Sequence, residues 1–371
     1  MANDNDPPMT FQALMSLLPL PSPENESGKQ RFMSVVPSYC AGGHGVAYGG
    51  HVYAQAVWAA AQTVGPGMVV HNVHGFFTLP GFTDRPYVYE VEHLSEGKSY
   101  CTRNVVVRHP CTPSFDMEEG KREEKMFEVE DEEKELGAIC FSCICSFKRD
   151  ERESFRGHQG VGVRERWREV LGEGNGSWEM APGVDAPWWN RLASSSSPPR
   201  FPVFPGLDIR KVEIQTNTTS DPTSYRALSL YRPFGSLPTS LPNLHACADL
   251  YASDRNSLFI ISNALGFGDQ VGTMGSLSHS VVFHVPTDEL LFQGNGGDQW
   301  WIQEAWTPRS GQGRGMHESW IWSPEGVHVA STWQEGLVRK ADRKEDEKQR
   351  LLWEEGMWKT GRLGVKEKGK L

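Results

Sequence analysis

The motifs that most often announce catalysis are missing from this 371-residue chain. It has no G-x-S-x-G to seat a serine nucleophile, no phosphate-cradling P-loop, no zinc-binding H-E-x-x-H and no G-x-G-x-x-G. Its seven cysteines, at 40, 101, 111, 140, 143, 145 and 247, are odd in number and irregular in spacing, as expected of reduced thiols in an intracellular protein. Three of them form C-x-x-C-x-C inside AICFSCICSF (138–147). No second Cys/His pair completes a metal site, and the alternation reads as a buried strand carrying core cysteines. His44, in GGHG (42–45), reads as part of a turn. Side chains that move protons and make hydrogen bonds occur throughout the chain, and the local reading of Asp249, Asp254, Ser276 and Gln334 is an ordinary one. On local grounds Asp254 reads as a helix-surface acid or a cap for Arg255-Asn256-Ser257, with Asp249 a rival carboxylate. Ser276 reads as a turn hydroxyl beside Gly275, and Gln334 as a polar residue sharing a strand face with Ala330 and Thr332.

Two blocks of similar order must position these residues. In the first, GGHVYAQAVWAAAQTV (49–64) is Ala-rich and apolar nearly all round, as a helix enclosed by a sheet should be. Strand-like runs follow at 69–77, 87–94, 100–108 and 138–147. In the second, a helix over 244–261 precedes strands at 278–286, 299–306, 317–322 and 326–338. VHGFFTLP (73–80) matches HSVVFHVP (279–286), and GAICFSCICSFKR (137–149) matches GVHVASTWQEGLVR (326–339). A helix followed by an antiparallel sheet, given twice, predicts two α+β units. The expected organisation is a flexible start over 1–10, a first unit over 11–150, a linker over 151–206, a second unit over 207–340 and a charged tail over 341–371. The first unit carries an acidic insert at 111–136, read as a solvated loop.

Three segments of the second block occur in a telling order: YASDRNSL (251–258), GSLSHSVVFHVP (275–286) and ASTWQEGLVR (330–339). The first block adds YGGHVYAQAVWAA (48–60), VHNVHGFFTLPG (70–81), YEVEHLSEGKSYCTRNV (89–105) and CSFKR (145–149), and GLDIRKVEI (206–214) opens the second half. Together they resemble the acyl-CoA thioesterase II family, bacterial and peroxisomal, over roughly residues 10–340 apart from the acidic insert and much of the linker. The resemblance implies a double hotdog, two tandem units each wrapping an antiparallel sheet around a long helix, with the two helices side by side. It implies hydrolysis of fatty acyl-CoA to free acid and CoA with no metal and no organic cofactor. Carried over residue by residue, the family's water-activating trio falls on Asp254, Ser276 and Gln334. A carboxylate suits the proton transfer, and a hydroxyl and an amide can orient the water. The chain departs from many members at Ser278, where they have an acid, and at Leu79, where they have Arg. A hotdog enoyl-CoA hydratase or dehydratase, and a non-catalytic acyl-CoA-binding protein, are the competing expectations.

The formal net charge is −10. Residues 111–136 hold eleven acids against four bases, and 339–371 hold eleven bases against seven acids. Outside 111–136 the remaining 345 residues carry only −3 in all, which argues against nucleic acid as a partner yet leaves Lys and Arg for the phosphates of CoA. No stretch approaches 18 consecutive apolar residues, so no membrane span is expected, and the N-terminal residues lack a basic region of secretory type. The terminus Gly369-Lys370-Leu371 resembles the Ser-Lys-Leu peroxisomal address, which gives an import receptor as an expected partner. A homo-oligomer is a further expectation from the hotdog resemblance. Six tryptophans of the second block (300, 301, 306, 320, 322 and 333) are read as core packing, with an acyl-tunnel wall as the alternative.

Overall fold

Period-two alternation of apolar and polar side chains becomes one long sheet. The computed structural model describes residues 8–21, 28–40, 46–114, 126–151, 156–172, 178–185, 204–212, 214, 220–267, 270–292 and 299–341. The first six strands are β1 (Leu17–Leu20), β2 (Lys29–Ser34), β3 (Val69–Phe77), β4 (Val88–Glu96), β5 (Tyr100–Pro110) and β6 (Leu136–Lys148). The second six are β7 (Leu207–Val212), β8 (Ala227–Pro233), β9 (Val271–Phe283), β10 (Trp301–Gly311), β11 (Arg314–Trp322) and β12 (His328–Lys340). The helices are α1 (Phe11–Leu14), α2 (Gly49–Ala61), α3 (Val163–Arg166), α4 (Arg168–Gly172), α5 (Pro242–Ser253) and α6 (Ser257–Ala264).

The sheet has twelve strands in the order β1-β2-β4-β5-β6-β3-β9-β12-β11-β10-β8-β7. Its right half is the mirror of its left, so the duplication seen in the sequence is a duplication of topology. The two halves meet where β3 pairs antiparallel with β9, Asn72 opposite Val282 through Phe76 opposite Ser278. α2 and α5 lie against each other on one side of the sheet and share its main core. Small residues on the facing helices, Ala56, Ala59 and Ala60 on α2 and Ala246, Ala248 and Ala252 on α5, are all buried. They let the two backbones approach closely. On the opposite side of the second half, Val163 and Leu171 of α3 and α4 cover Leu230, Ile302 and Trp322. That part of the 151–206 segment is packed onto the sheet.

Polar ties hold the helices in register. Asn243, at the start of α5, accepts from Val70 N–H at 2.8 Å and donates to Met68 O at 3.0 Å, joining the second repeat to the first. Arg103 of β5 is buried and donates to Thr63 O at 3.0 Å and Thr63 Oγ1 at 2.8 Å, just past the end of α2. A cation there meets the negative end of the helix.

The structure corrects several expectations. The helix expected over 244–261 is two helices, broken at Asp254–Asn256, where Asn256 is left-handed at φ 61°. Asparagine tolerates that conformation better than most residues, and its amide is held by Asp185, whose backbone N–H donates to Asn256 Oδ1 at 2.9 Å. β9 begins at Val271, seven residues before the expected start at 278. Strands β1, β2 and β8 were not read from the sequence. The chain is already held at Met9, whose carbonyl accepts from Gly206 N–H, and Thr10 caps α1. In the acidic segment, Val129–Glu133 is a capped 3-10 turn whose buried Asp131 accepts from Ser114 Oγ and pairs with Lys134. Residues 115–125, His44 and the terminal Gly369-Lys370-Leu371 lie outside the described residues. Cys140, Cys143 and Cys145 are buried thiols in β6. Trp300, Trp301 and Trp322 are buried, whereas Trp333 is exposed. Among the described residues no helix is long and apolar enough to cross a membrane.

The Asn243 tie yields a prediction. Asn243→Ala strands Val70 N–H and Met68 O in the core, so the unfolding free energy falls by about 1–3 kcal/mol in urea titrations. An unchanged midpoint would show the tie to be dispensable.

Candidate active site

The break between α5 and α6 places a carboxylate at the end of a buried helix. Asp254 caps the C-terminal end of α5 and is 7% exposed. Its Oδ1 accepts from Gln334 Nε2 at 2.5 Å and from Ser257 Oγ at 3.4 Å, and its carboxylate also accepts from the Gly50 N–H. That last donor comes from the other repeat. Tyr48, the residue before α2, supplies no side-chain cap, so a carboxylate from across the seam meets the positive end of the helix instead. The approach is tight: a Cβ on Gly49 would stand 3.0 Å from Asp254 Oδ2 and 3.1 Å from the Phe77 ring, so these neighbours would have to give way. Tyr48 fixes the same junction, its hydroxyl donating to Tyr251 O at 2.5 Å.

Gln334 lies on β12, directly opposite His279 of β9 and His317 of β11. Its second amide hydrogen goes to Ser276 Oγ at 2.8 Å. Ser276 reaches it because the register shifts: Glu335 pairs with Ser278, but Gly336 pairs with Ser276, leaving Leu277 as a bulge. The extra residue turns Ser276 onto the face that carries Gln334. The structure thus brings together all three residues singled out in the sequence, Asp254, Ser276 and Gln334. It does not bring in Asp249, which is buried on α5 and accepts from the Tyr231 hydroxyl at 2.7 Å. Ser278, one of the two departures from the family pattern, pairs with Glu335 on the opposite face of the sheet, so it does not touch the cluster. Leu79, the other departure, is half exposed beyond the end of β3.

Burial pushes the Asp254 carboxyl up to about 6, and the bonds from Gln334, Gly50 N–H and Ser257 hold it from rising further. Around pH 7 it is mostly ionised yet still basic enough to take a proton from water. Reasoning from sequence missed Gly50 N–H, Ser257 and His279. Ser257 and His279 stood in the quoted motifs, but nothing local marked them. A backbone donor leaves no mark beyond the Gly-Gly that opens α2.

Comparison with known proteins decides the family. The pattern described as the acyl-CoA thioesterase N-terminal domain matches residues 36–117, and that of the acyl-CoA thioesterase C-terminal domain matches 182–338. The chain belongs to the acyl-CoA thioesterase II family. It is similar to acyl-coenzyme A thioesterase 8 of Homo sapiens, 25% identical over 301 residues covering 79% of this chain and 80% of the relative. Acyl-CoA thioesterase 2 of Haemophilus influenzae is 23% identical over 300 residues, covering 79% and 87%. Among solved structures, an acyl-CoA thioesterase II from Mycobacterium marinum superposes with a TM-score of 0.53 at 22% identity, over 90% of this chain and 98% of that one. The fold is a double hotdog of α+β class, and the thioesterase hydrolyses acyl-CoA thioesters.

The perturbed carboxyl of the thioesterase has a measurable cost. Asp254 ionises near 3.8 when unfolded and near 6 when folded, so the native state holds a proton that the unfolded state releases between those values. Wild-type stability from this group therefore falls as pH rises through that window and stays lower above it. Asp254→Asn cannot ionise. Its stability relative to wild type should rise by up to about 3 kcal/mol between pH 4 and pH 7, followed by thermal melting. A difference independent of pH would contradict the raised pKa.

Proposed function

We propose that the thioesterase hydrolyses fatty acyl-CoA with Asp254 as general base and Gln334 and Ser276 as the groups that orient the attacking water. The observation that carries this reading is the single amide of Gln334 bonded at once to Asp254 and to Ser276. A water held against this trio is aimed by two polar groups and faces a base of matched strength. As its oxygen attacks the thioester carbonyl carbon, its proton passes to Asp254 and the carbonyl oxygen becomes an oxyanion. Collapse of the tetrahedral species breaks the C–S bond, and the leaving sulfur takes the proton to give CoA thiol and the free acid. The start of α2, uncapped by its own side chains, puts the positive end of a helix at this junction.

Release of free thiol from acyl-CoAs of several chain lengths tests the assignment. Asp254→Asn should lower kcat by about 10³-fold or more, and Gln334→Ala and Ser276→Ala by about 10²-fold, with KM little changed. For the wild type, kcat/KM should climb about tenfold per pH unit below about 6 and level off above it, because only ionised Asp254 accepts the proton. Wild-type turnover by Asp254→Asn would remove Asp254 from the mechanism.

For location, we propose peroxisomal import through Gly369-Lys370-Leu371, supported by the resemblance to Ser-Lys-Leu and by Lys366 and Lys368 just upstream. A fluorescent protein fused ahead of the last twelve residues should become punctate with peroxisomal markers. Removing the three terminal residues should return it to a diffuse distribution; a diffuse full-length fusion would refute the address.

A further inference from the structure

Among the buried polar atoms beside the Asp254 cluster that lack a hydrogen-bond partner are Gln334 Oε1 and His279 Nδ1. They belong to residues directly opposite each other in the β12–β9 register, and the Gln334 side chain is one of the groups that perturb the His279 ring. The other ring nitrogen, Nε2, is 3.0 Å from Ser253 Oγ, and that hydroxyl also stands 2.8 Å from Leu250 O. A serine hydroxyl has one proton to give. If Ser253 gives it to Leu250 O, the ring must carry its hydrogen on Nε2, and two bare acceptors, Nδ1 and Oε1, are left buried. If Ser253 gives it to Nε2, the hydrogen sits on Nδ1, and a small adjustment of the two side chains that brings it to Oε1 leaves neither atom orphaned. Leaving buried acceptors unpaired incurs their full desolvation penalty, so the second arrangement is the one the site selects.

We propose that His279 is a positioning residue, which as its Nδ1–H tautomer donates to Gln334 Oε1 and thereby fixes which end of the amide meets Asp254 and Ser276. The two ends of a glutamine amide have nearly the same size, so shape alone does not orient it. Reversed, the amide would set an oxygen against the Asp254 carboxylate and withdraw both of the donors that hold the trio together. His317, on the other side of Gln334, has no hydrogen bond to it; its ring is perturbed by burial and by His279.

The duplication shows that the fold itself does not ask for histidine here. The match of 73–80 with 279–286 places Val73 where the second repeat has His279. Val73 pairs with Cys145 of β6 as His279 pairs with Gln334 of β12. Val73 and Cys145 are both fully buried. One repeat fills the position with an apolar pair, the other with a histidine and an amide.

The inference rests on the assignment of Asp254, Ser276 and Gln334, and reciprocal substitutions test it separately. The amide nitrogen of asparagine overlays ring Nδ1, and that of glutamine overlays ring Nε2. His279→Asn should therefore keep kcat close to wild type, and His279→Gln should lower it by about 10²-fold with KM unchanged. The opposite order would assign His279 to the Ser253 contact and overturn the proposal, as would equal rates in all three proteins. Gln334→Ala and Asp254→Ala run in the same assay separate the two failures. Wild-type rates in those variants sink the trio, whereas their inactivity alongside a fully active His279→Gln sinks only the role of His279. Should either His279 variant lose the native melting transition, nitrogen-15 NMR of the wild type decides, with His279 assigned through bonds. A protonated Nδ1 supports the proposal and a protonated Nε2 overturns it.

Discussion

A carboxylate taken out of water at the end of one helix and met by the start of another is the constraint around which this molecule is arranged. Desolvating Asp254 is unfavourable, and the surroundings answer with three donors from three places: Gly50 N–H, Gln334 and Ser257. Each imposes a demand on the chain. Gly50 N–H is available because α2 has no side-chain cap of its own, and the approach is close enough that a Cβ at position 49 would crowd Asp254 and Phe77. Ser257 is available because the helix stops at Asp254 and restarts after a left-handed Asn256. Gln334 is available because β12 lies next to β9 at the centre of the sheet, under the junction of the two helices. The trio lies in the second repeat, but its carboxylate is met by the Gly50 N–H of the first, so the site sits on the seam between them.

Much of this was legible in the sequence, for identifiable reasons. β3 spans the run read at 69–77, because a strand buried on one face alternates cleanly and ends at Pro80-Gly81. The pairing of repeats was legible through two matched strands, and strand order then follows from duplication. Other features left no trace. Leu258, Ile260 and Ile261 continue the apolar spacing of α5, so the break at Asn256 is invisible to periodicity; it depends on a contact with Asp185, far away in the chain. Strand β1 is four residues with a proline, too short to alternate. Asp254, Ser276 and Gln334 each have an ordinary local reading, as cap, turn hydroxyl and strand polar residue. Only the ordered motifs around them singled them out, and only the fold shows one amide joining all three.

The bulge that delivers Ser276 has a twin. In β3 the register against β6 also slips, between Val70 and Asn72, and the repeat places Val70 where the second half has Ser276. The bulge therefore belongs to the duplicated fold and was available in both halves. In the first half it turns Val70 into the core, beside Val73 and Cys145; in the second it turns Ser276 toward Gln334, beside His279. The helix ends have diverged in the complementary sense. At one end of the α2–α5 pair, the start of α2 receives the Asp254 carboxylate and accepts its desolvation. At the other, the start of α5 presents Asn243, which satisfies the backbone of Met68 and Val70 without burying any charge. Two equivalent seams thus divide two incompatible tasks. A buried carboxyl whose pKa is raised to about 6 is destabilising where it sits near neutral pH, and the seam at the opposite end of the same helices is left free to be purely cohesive.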